Sequence, residues 1–393
     1  MKFIHTADWH IGPDFYHYDR GDEHRFFFSQ LREWVATEQP DALLVSGDIY
    51  HTATPSNQSM KLYTEAMVSL HAACPKMQII VTAGNHDSCA RLSATAEVWK
   101  LANVQVVGGL ERDAETGELQ PERHVIEIPH KVFIIAVPYI SEKHYAVFQE
   151  LQDWVEARNR ESLPVVMMGH LAVKGSDISG HDPVLIGGME SASLDHFSEK
   201  YDYWALGHIH CPQTLSSSGG RVRYSGSPLH VSFDENYPHS VSLVEIEHRG
   251  DVPRITQLFV RQRIHLCTMP AQPQPWEEVA QLLSDFQPEE PAYLRLQVSV
   301  EDYLPQASLM QLQQILSQKP LLYFCLVKSV PRKDEEESGR VFFDVQEIKE
   351  IHPVEVAKVY YRETFGHEME EDKIQKLEEV VACVMRERNM EVQ

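Results

Sequence analysis

Apolar positions in the first 260 residues fall into short continuous runs, separated by longer stretches in which they recur at helical spacing. Ala42–Ser46 reads ALLVS and Gln78–Ala83 reads QIIVTA. Unbroken apolar runs of this length predict strands of a sheet covered on both faces. Lys2–Thr6, Val132–Val137, Val165–Met168, Tyr203–Leu206, Val222–Tyr224 and Val241–Glu247 predict further strands. Between them, Phe27, Leu31, Trp34 and Val35 mark one side of a helix over His24–Gln39. Met60, Tyr63, Met67 and Leu70 do the same over Ser56–Ala73, with Pro55 just ahead of its start. Several strands end in a short cluster of Gly, Asp or His, the place where α/β folds usually carry their chemistry.

The pattern changes near Arg263. A strand (Ile264–Met269), a proline-rich turn (PAQPQP), a helix (Trp276–Phe286), a strand (Ala292–Val300), a helix (Ser308–Gln318) and a strand (Leu321–Ser329) predict a small α+β unit. Lys333–Arg340 is charged and contains glycine, as linkers do. Two helices follow, Pro353–Phe365 and Glu370–Glu387, the second with Ile374, Leu377, Val381 and Val384 on one face. Packing onto their own chain accounts for this pair, but their place beyond a linker favours docking on a partner. Three segments result: 1–263, 264–330 and 331–393.

A chain of 393 residues exceeds what one core usually fills, and 43% apolar content excludes extensive disorder. No run approaches the roughly 18 apolar residues of a membrane span. The opening MKFIHTADWH is broken by polar residues too early for a secretory signal. Six scattered cysteines without a C-x-x-C pair predict reduced thiols in a cytoplasmic protein. The net charge of −23, taken alone, argues against a nucleic-acid partner.

Five clusters carry the candidate chemistry: Asp8 with His10, Gly47 with Asp48, the run Gly84, Asn85, His86, Asp87, then Gly169 with His170, and Gly207 followed by His208 and His210. Each follows a predicted strand. Residues two apart on an extended chain share a side, so Asp8 with His10 and His208 with His210 can face one cavity. Carboxylate and imidazole donors without sulfur suit Mn, Fe or Zn rather than Ca. Singly, a Gly-Asp pair or an Asp-x-His triplet is more often a structural turn. All five in this order favour a metal site.

That order resembles the calcineurin-like metallophosphoesterases over about the first 260 residues. The resemblance implies two stacked β-sheets flanked by helices, with a dinuclear site at one edge. It implies one metal on Asp8, His10, Asp48 and His210, and a second on Asp48, Asn85, His170 and His208, with Asp48 bridging. Two such cations can clamp a phosphate through an in-line displacement. His86, beside a ligand in sequence, can then point at the leaving group, with Asp87 orienting its ring.

Within that family, the DWHIG run at Asp8–Gly12, the GHIH run at 207–210 and VRYSGSPLHVSFDE (Val222–Glu235) resemble the bacterial SbcD nucleases, relatives of the eukaryotic Mre nucleases. This resemblance implies a Mn²⁺-dependent exonuclease and endonuclease acting on DNA ends and hairpins, with a capping unit over 264–330. It also implies residues 353–387 docked on the coiled coil of an SbcC-like ATPase, and a homodimer formed through Ser56–Ala73, whose apolar face serves equally as ordinary core. His51 matches a histidine that some members place near the scissile phosphate. In the loop Phe15–Arg25, Tyr16 and Arg20 suit stacking on bases and meeting phosphates, though a solvated loop explains them as well. A protein phosphatase or nucleotide phosphodiesterase would share the metal site but has no use for the capping unit and tail. A non-catalytic scaffold has no use for an intact ligand set with His86.

The charge then takes on a narrower meaning. Two divalent ions make the local field at a phosphate positive whatever the total. Residues 331–393 carry ten basic and seventeen acidic side chains, in a segment assigned to protein contacts. The expectation is weak DNA affinity for the chain alone and reliance on a partner with basic surface.

Overall fold

The computed structural model describes residues 1–12, 14–16, 18–179, 192, 200–300, 304–319 and 322–329, together with 354, 358, 361, 369, 370, 373, 374, 376 and 377. Its elements run β1 (Lys2–Thr6), β2 (Asp14–Phe15), β3 (Tyr18–Asp19), α1 (Gly21–Glu38), β4 (Ala42–Ser46), α2 (Asn57–Ala73), β5 (Gln78–Thr82), α3 (Cys89–Ser93), α4 (Ala96–Trp99), β6 (Val104–Val107), β7 (Val125–Ile128), β8 (Val132–Ala136) and α5 (Ala146–Glu156). They continue with β9 (Val165–His170), β10 (Tyr203–Gly207), β11 (Gln213–Thr214), β12 (Val222–Tyr224), β13 (Ser240–Glu245), β14 (Arg254–Phe259), β15 (His265–Gln274), α6 (Trp276–Asp285), β16 (Ala292–Ser299), α7 (Gln306–Ser317) and β17 (Leu322–Ser329).

Two six-stranded sheets dominate, ordered β14-β13-β1-β4-β5-β6 and β11-β12-β10-β9-β8-β7. Strict alternation in the apolar strands explains why they stack. Phe3, Ala42, Leu44 and Ile80 of the first sheet share one core with Ile134, Ala136, Val166, Met168, Tyr203 and Ala205 of the second. The intervening residues point outward. Leu43, Val45, Ile79 and Val81 pack under Phe27, Leu31, Leu62 and Met67 of α1 and α2. Phe133, Ile135, Val165 and Met167 pack under Phe148, Leu151 and Val155 of α5. The result is helix, sheet, sheet, helix, in agreement with the continuous apolar runs.

The central strands are parallel: β1 with β4, β4 with β5, and β8 with β9 with β10. Their C-terminal ends therefore emerge together, and the loops that follow β1, β4, β5, β9 and β10 can meet.

Helix α2 begins where Ser56 caps it, its hydroxyl accepting from the Ser59 N–H at 3.1 Å. The buried stripe of α2 is Leu62, Tyr63, Ala66, Met67 and Leu70, while Met60 and Val68 are exposed. The expected loop Phe15–Arg25 is a two-stranded β2–β3 ribbon that runs into α1, whose first turn is Gly21 onward.

The third sheet, β15-β16-β17, is wholly parallel and covered by α6 and α7 over a core that includes Val279, Leu283, Leu294 and Leu312. The expected proline-rich turn is instead the end of β15, which continues to Gln274 with a register shift after Met269. An edge strand tolerates prolines because one side needs no ladder donors. By compactness the chain divides into Met1–Val330 and Pro331–Gln393. Most of the second unit, including the linker Lys333–Arg340 and nearly all of both tail helices, lies outside the described residues. No described helix is long and apolar enough to cross a membrane.

Candidate metal centre

The chain leaves β1 and keeps pairing with the segment after β4: Asp8 N donates to Gly47 O at 3.0 Å and His10 N to Asp48 O at 3.0 Å. Asp8, His10, Asp48 and His208 all hold positive φ (52°, 44°, 50° and 98°), a conformation that costs non-glycine residues free energy and clusters at functional sites. The glycines beside them are there for close approach. A Cβ on Gly47 would lie 2.2 Å from His170 Nδ1, one on Gly84 2.0 Å from Asp48 Oδ1, and one on Gly207 1.9 Å from Ser46 O. Strand ends from both sheets therefore meet at van der Waals contact.

Six of the seven positions are buried: Asp8, His10, Asp48, His170, His208 and His210. Asn85 is exposed and His86 half-buried. His10 Nε2 faces His210 Nε2 at 3.2 Å. Asp48 Oδ2 lies 3.7 Å from His10 Nε2 and 3.5 Å from His170 Nε2, so it stands between the two histidine groups. Asn85 Oδ1 lies 2.9 Å from His170 Nε2 and 3.1 Å from His208 Nδ1. Asp8 accepts from the His208 backbone N–H at 3.0 Å. Asp8, His10 and His210, and again Asp8, Asp48 and His170, bring ligand atoms within 4.8 Å of one another.

This donor set fits divalent cations. Burial pushes the Asp8 carboxyl up to about 8, with the Asp48 charge adding to it against the pull of His170. Burial also opposes the Asp48 charge, yet the imidazoles of His170, His10 and His86 hold it well below the usual carboxylate range. Burial disfavours the His170 imidazolium too, but the Asp48 charge and hydrogen bond outweigh it and raise it to about 9. His10 is driven well below its usual value by burial. Two buried acids compete here for one source of positive charge, and cations would satisfy both. Oxygen and imidazole donors without thiolate suit Mn, Fe or Zn.

A family profile described as calcineurin-like phosphoesterase matches residues 1–212. Another, SbcD_C, described as the type 5 capsule protein repressor C-terminal domain, matches residues 266–365. The chain is 33% identical over 299 residues to a protein of Rhodobacter capsulatus named as the SbcD component of the SbcCD nuclease, covering 69% of this chain and 72% of that one. The chain belongs to the SbcD group of the calcineurin-like phosphoesterases. The protein of the same name from Escherichia coli K12 is 29% identical over 420 residues, 98% of either chain. That of Bacillus subtilis is 30% identical over 268 residues, 62% of this chain and 66% of that one.

Behind the donors of this SbcD-group phosphoesterase stands a layer that fixes their rings. His170 Nδ1 meets Ser46 O at 2.9 Å, and His210 Nδ1 meets the buried carboxylate of Glu235 at 2.8 Å. Such partners set the tautomer and direct the other nitrogen at a metal. Glu235 was not among the expected site residues: it closes the Val222–Glu235 segment beside a second acid, Asp234, and nothing local distinguishes the two.

His86 is turned by a different group from the one expected. Its Nδ1 meets the carbonyl of His51 at 2.7 Å, which leaves Nε2 4.0 Å from Asp48 Oδ2. Asp87 does not orient that ring. Its carboxylate accepts from the N–H groups of Ile49 (3.0 Å), Tyr50 (2.9 Å) and Gly84 (2.8 Å), tying the loops after β4 and β5 together. The His51 ring lies 5.4 Å from His10 and 5.5 Å from His86, centroid to centroid.

Tyr16 and Arg20 line a cavity of about 180 Å³ with His10 and His51. Tyr16 is exposed, as a stacking residue requires. Arg20 is not available for phosphate: it is buried, with Nη2 at 3.0 Å and Nε at 3.1 Å from the Glu23 carboxylate and Nη1 on the His230 carbonyl. A larger cavity, about 320 Å³, lies against Trp154 and Arg158 and shares no residue with the centre.

Proposed function

We propose that the chain is a metal-dependent DNA phosphodiesterase, the nuclease component of an SbcCD-type complex, acting as a double-strand exonuclease and hairpin endonuclease in DNA end processing. The observation that carries this reading is the meeting, at one edge of two sheets, of seven metal-type donors with His86 beside them. Relatives named as the SbcD component of the SbcCD nuclease match 69% and 98% of the chain, and they support the DNA substrate over a phosphoprotein or a nucleotide.

Asp8, His10, Asp48 and His210 would hold one divalent ion, and Asp48, Asn85, His170 and His208 a second, Mn²⁺ being the first choice. Bound there, the ions supply Lewis-acid charge to the phosphoryl group and lower the pKa of water. The protein contributes the rest. Positive-φ backbone and close-packed glycines preset the donors, so little reorganisation is needed as charge develops. The His51 carbonyl accepts the His86 Nδ1 proton, and the protonated His86 Nε2 delivers a proton to the departing oxygen. Asp87 keeps both loops in register. His51 lends a second ring beside the phosphate, and Tyr16 offers its exposed ring to an unstacked base.

Residues 264–330 act as a cap that selects DNA structure, residues 353–387 dock on the coiled coil of an SbcC-like ATPase, and α2, with Met60 and Val68 exposed, joins two copies. The test is a pair of small chromogenic substrates with Mn²⁺. Hydrolysis of the phosphodiester in preference to the monoester is expected. Preference for the monoester would favour a phosphatase.

A further inference from the structure

The small third sheet touches the metal centre through one unbroken chain of hydrogen bonds. It starts at Tyr293 on β16, whose hydroxyl donates to Glu23 Oε2 at 2.6 Å. Glu23 holds Arg20 through both carboxylate oxygens, and Arg20 Nη1 donates to the carbonyl of His230. The N–H of that same peptide unit, on Val231, donates to Glu235 Oε2 at 2.8 Å. The other oxygen of Glu235 takes His210 Nδ1 at 2.8 Å. Tyr293, Glu23, Arg20, Glu235 and His210 are all buried.

Burial gives this chain its consequence. A hydrogen bond to a charged group away from water is stronger than an exposed one, and bonds in sequence polarise one another. Arg20 and Glu23 form a buried pair that is costly to leave incomplete. A second contact supports the same segment. Arg295, also on β16, reaches Asp234 at 2.7 Å and lies over the Phe233 ring at 5.3 Å, one and two residues before Glu235. Phe233 is buried in a cluster with Phe15, Ile264 and Tyr293. The segment His230–Glu235 is thus gripped at both ends by the small sheet, directly or through α1.

We infer that Tyr293 is a positioning residue for the His210 imidazole, acting through Glu23, Arg20, the His230–Val231 peptide and Glu235, so that the seating of the small domain sets the geometry of one metal ligand. The inference rests on the metal centre proposed above. It gives the capping unit a role in the chemistry besides selecting DNA shape. A substrate that shifts the small sheet would alter the His210 side of the centre, while Asn85, His170 and His208 lie off this chain of hydrogen bonds.

The experiment uses the full-length chain and Co²⁺, whose visible absorption reports ligand geometry and whose titration gives affinity. Glu235→Gln, the step next to His210, is expected to weaken one of two Co²⁺ sites by roughly 10-fold or more. Tyr293→Phe removes one hydroxyl from the far end. It is expected to weaken the same site several-fold, to change the absorption of that site, and to leave the other site unaltered. Leu283→Ala, in the core of the small sheet away from the relay, controls for general loosening. It should lower Tm without moving either affinity. Arg295→Lys, a milder change, should give a small shift in the same site. Unchanged Co²⁺ affinity and spectrum in Tyr293→Phe overturn the relay, and so does an equal shift in Leu283→Ala. A wild-type chain that takes up no Co²⁺ overturns the metal centre and the relay together, which separates the two failures.

Discussion

The Nε2 atoms of His10 and His210 face each other at 3.2 Å, although two hundred positions separate them in the chain. Each imidazole has its lone pair or its proton directed at the other, with Asp48 at 3.7 Å from His10. A cation between such groups relieves lone-pair repulsion and offsets the buried carboxylates. Mn²⁺ is therefore expected to raise Tm and a chelator to lower it. At a free ion concentration 100 times Kd, the gain is about 2.7 kcal/mol per site. Differential scanning fluorimetry measures it, and Asp48→Asn should abolish most of the Mn²⁺ response. An equal response in that variant would place the ion elsewhere.

Gly84 tests how tightly the strand ends must meet. A Cβ there would lie 2.0 Å from Asp48 Oδ1, whereas one on Gly109 would meet only Cys89 Cβ at 3.8 Å. Gly84→Ala is expected to lose Mn²⁺ binding and stability together, and Gly109→Ala to keep both. Isothermal titration with Mn²⁺ distinguishes them, and intact binding in Gly84→Ala would mean that the loop has slack the structure does not show.

His86 and Asp87 are adjacent but should fail differently. His86→Ala is expected to retain metal and lose about 10²–10⁴-fold in kcat, the usual contribution of a positioned proton donor. Asp87→Asn replaces an acceptor of three backbone N–H groups, so its main expected loss is stability, about 1–3 kcal/mol. Urea titration beside kinetics separates the two. A stable Asp87→Asn protein with the kinetic defect of His86→Ala would restore Asp87 to the proton path.

How much of this was legible beforehand follows the physics of each element. Continuous runs such as ALLVS and QIIVTA reveal buried strands, because burial on both faces leaves no polar position to confuse the period. The convergence of the strand-end clusters could be read because each local sequence both ends a strand and carries a carboxylate, amide or imidazole of the type that can ligate a metal. Partnerships across the chain were not readable. Asp87 has the same local sequence whether it orients His86 or ties Ile49 and Tyr50 to Gly84. Arg20 looks like a phosphate contact until Glu23, one helical turn on, closes on it with Tyr293 from 270 positions away. Glu235 shows its use only when β10 brings His210 beside it. The prolines after Met269 misled because their reading as a turn is a local rule, and the edge position of β15 overrides it.

His5 supplies a pH dependence outside the candidate metal-ligand set. Wholly buried between the sheets, with Nδ1 at 3.0 Å from the Tyr203 hydroxyl, its pKa is lowered to about 3, by burial first and by the Arg223 charge second. Below about 6.5 the unfolded chain binds a proton that the native chain does not, so this group makes stability fall as pH falls from 6.5 to about 3. The slope is about 1.4 kcal/mol per pH unit for one proton. Urea denaturation between pH 6.5 and 4.5 should show a shallower loss in His5→Gln than in wild type. Parallel curves would mean that His5 titrates normally.

The central claim, that the meeting of these strand ends makes a two-metal centre for cleaving DNA, is tested most directly by digestion of end-labelled blunt and hairpin duplexes with Mn²⁺, in the presence of an SbcC-type ATPase partner. Wild-type protein is expected to degrade both substrates. His86→Ala should degrade neither while still binding Mn²⁺. Intact DNA under these conditions, alongside rapid release of phosphate from phosphopeptides, would contradict it.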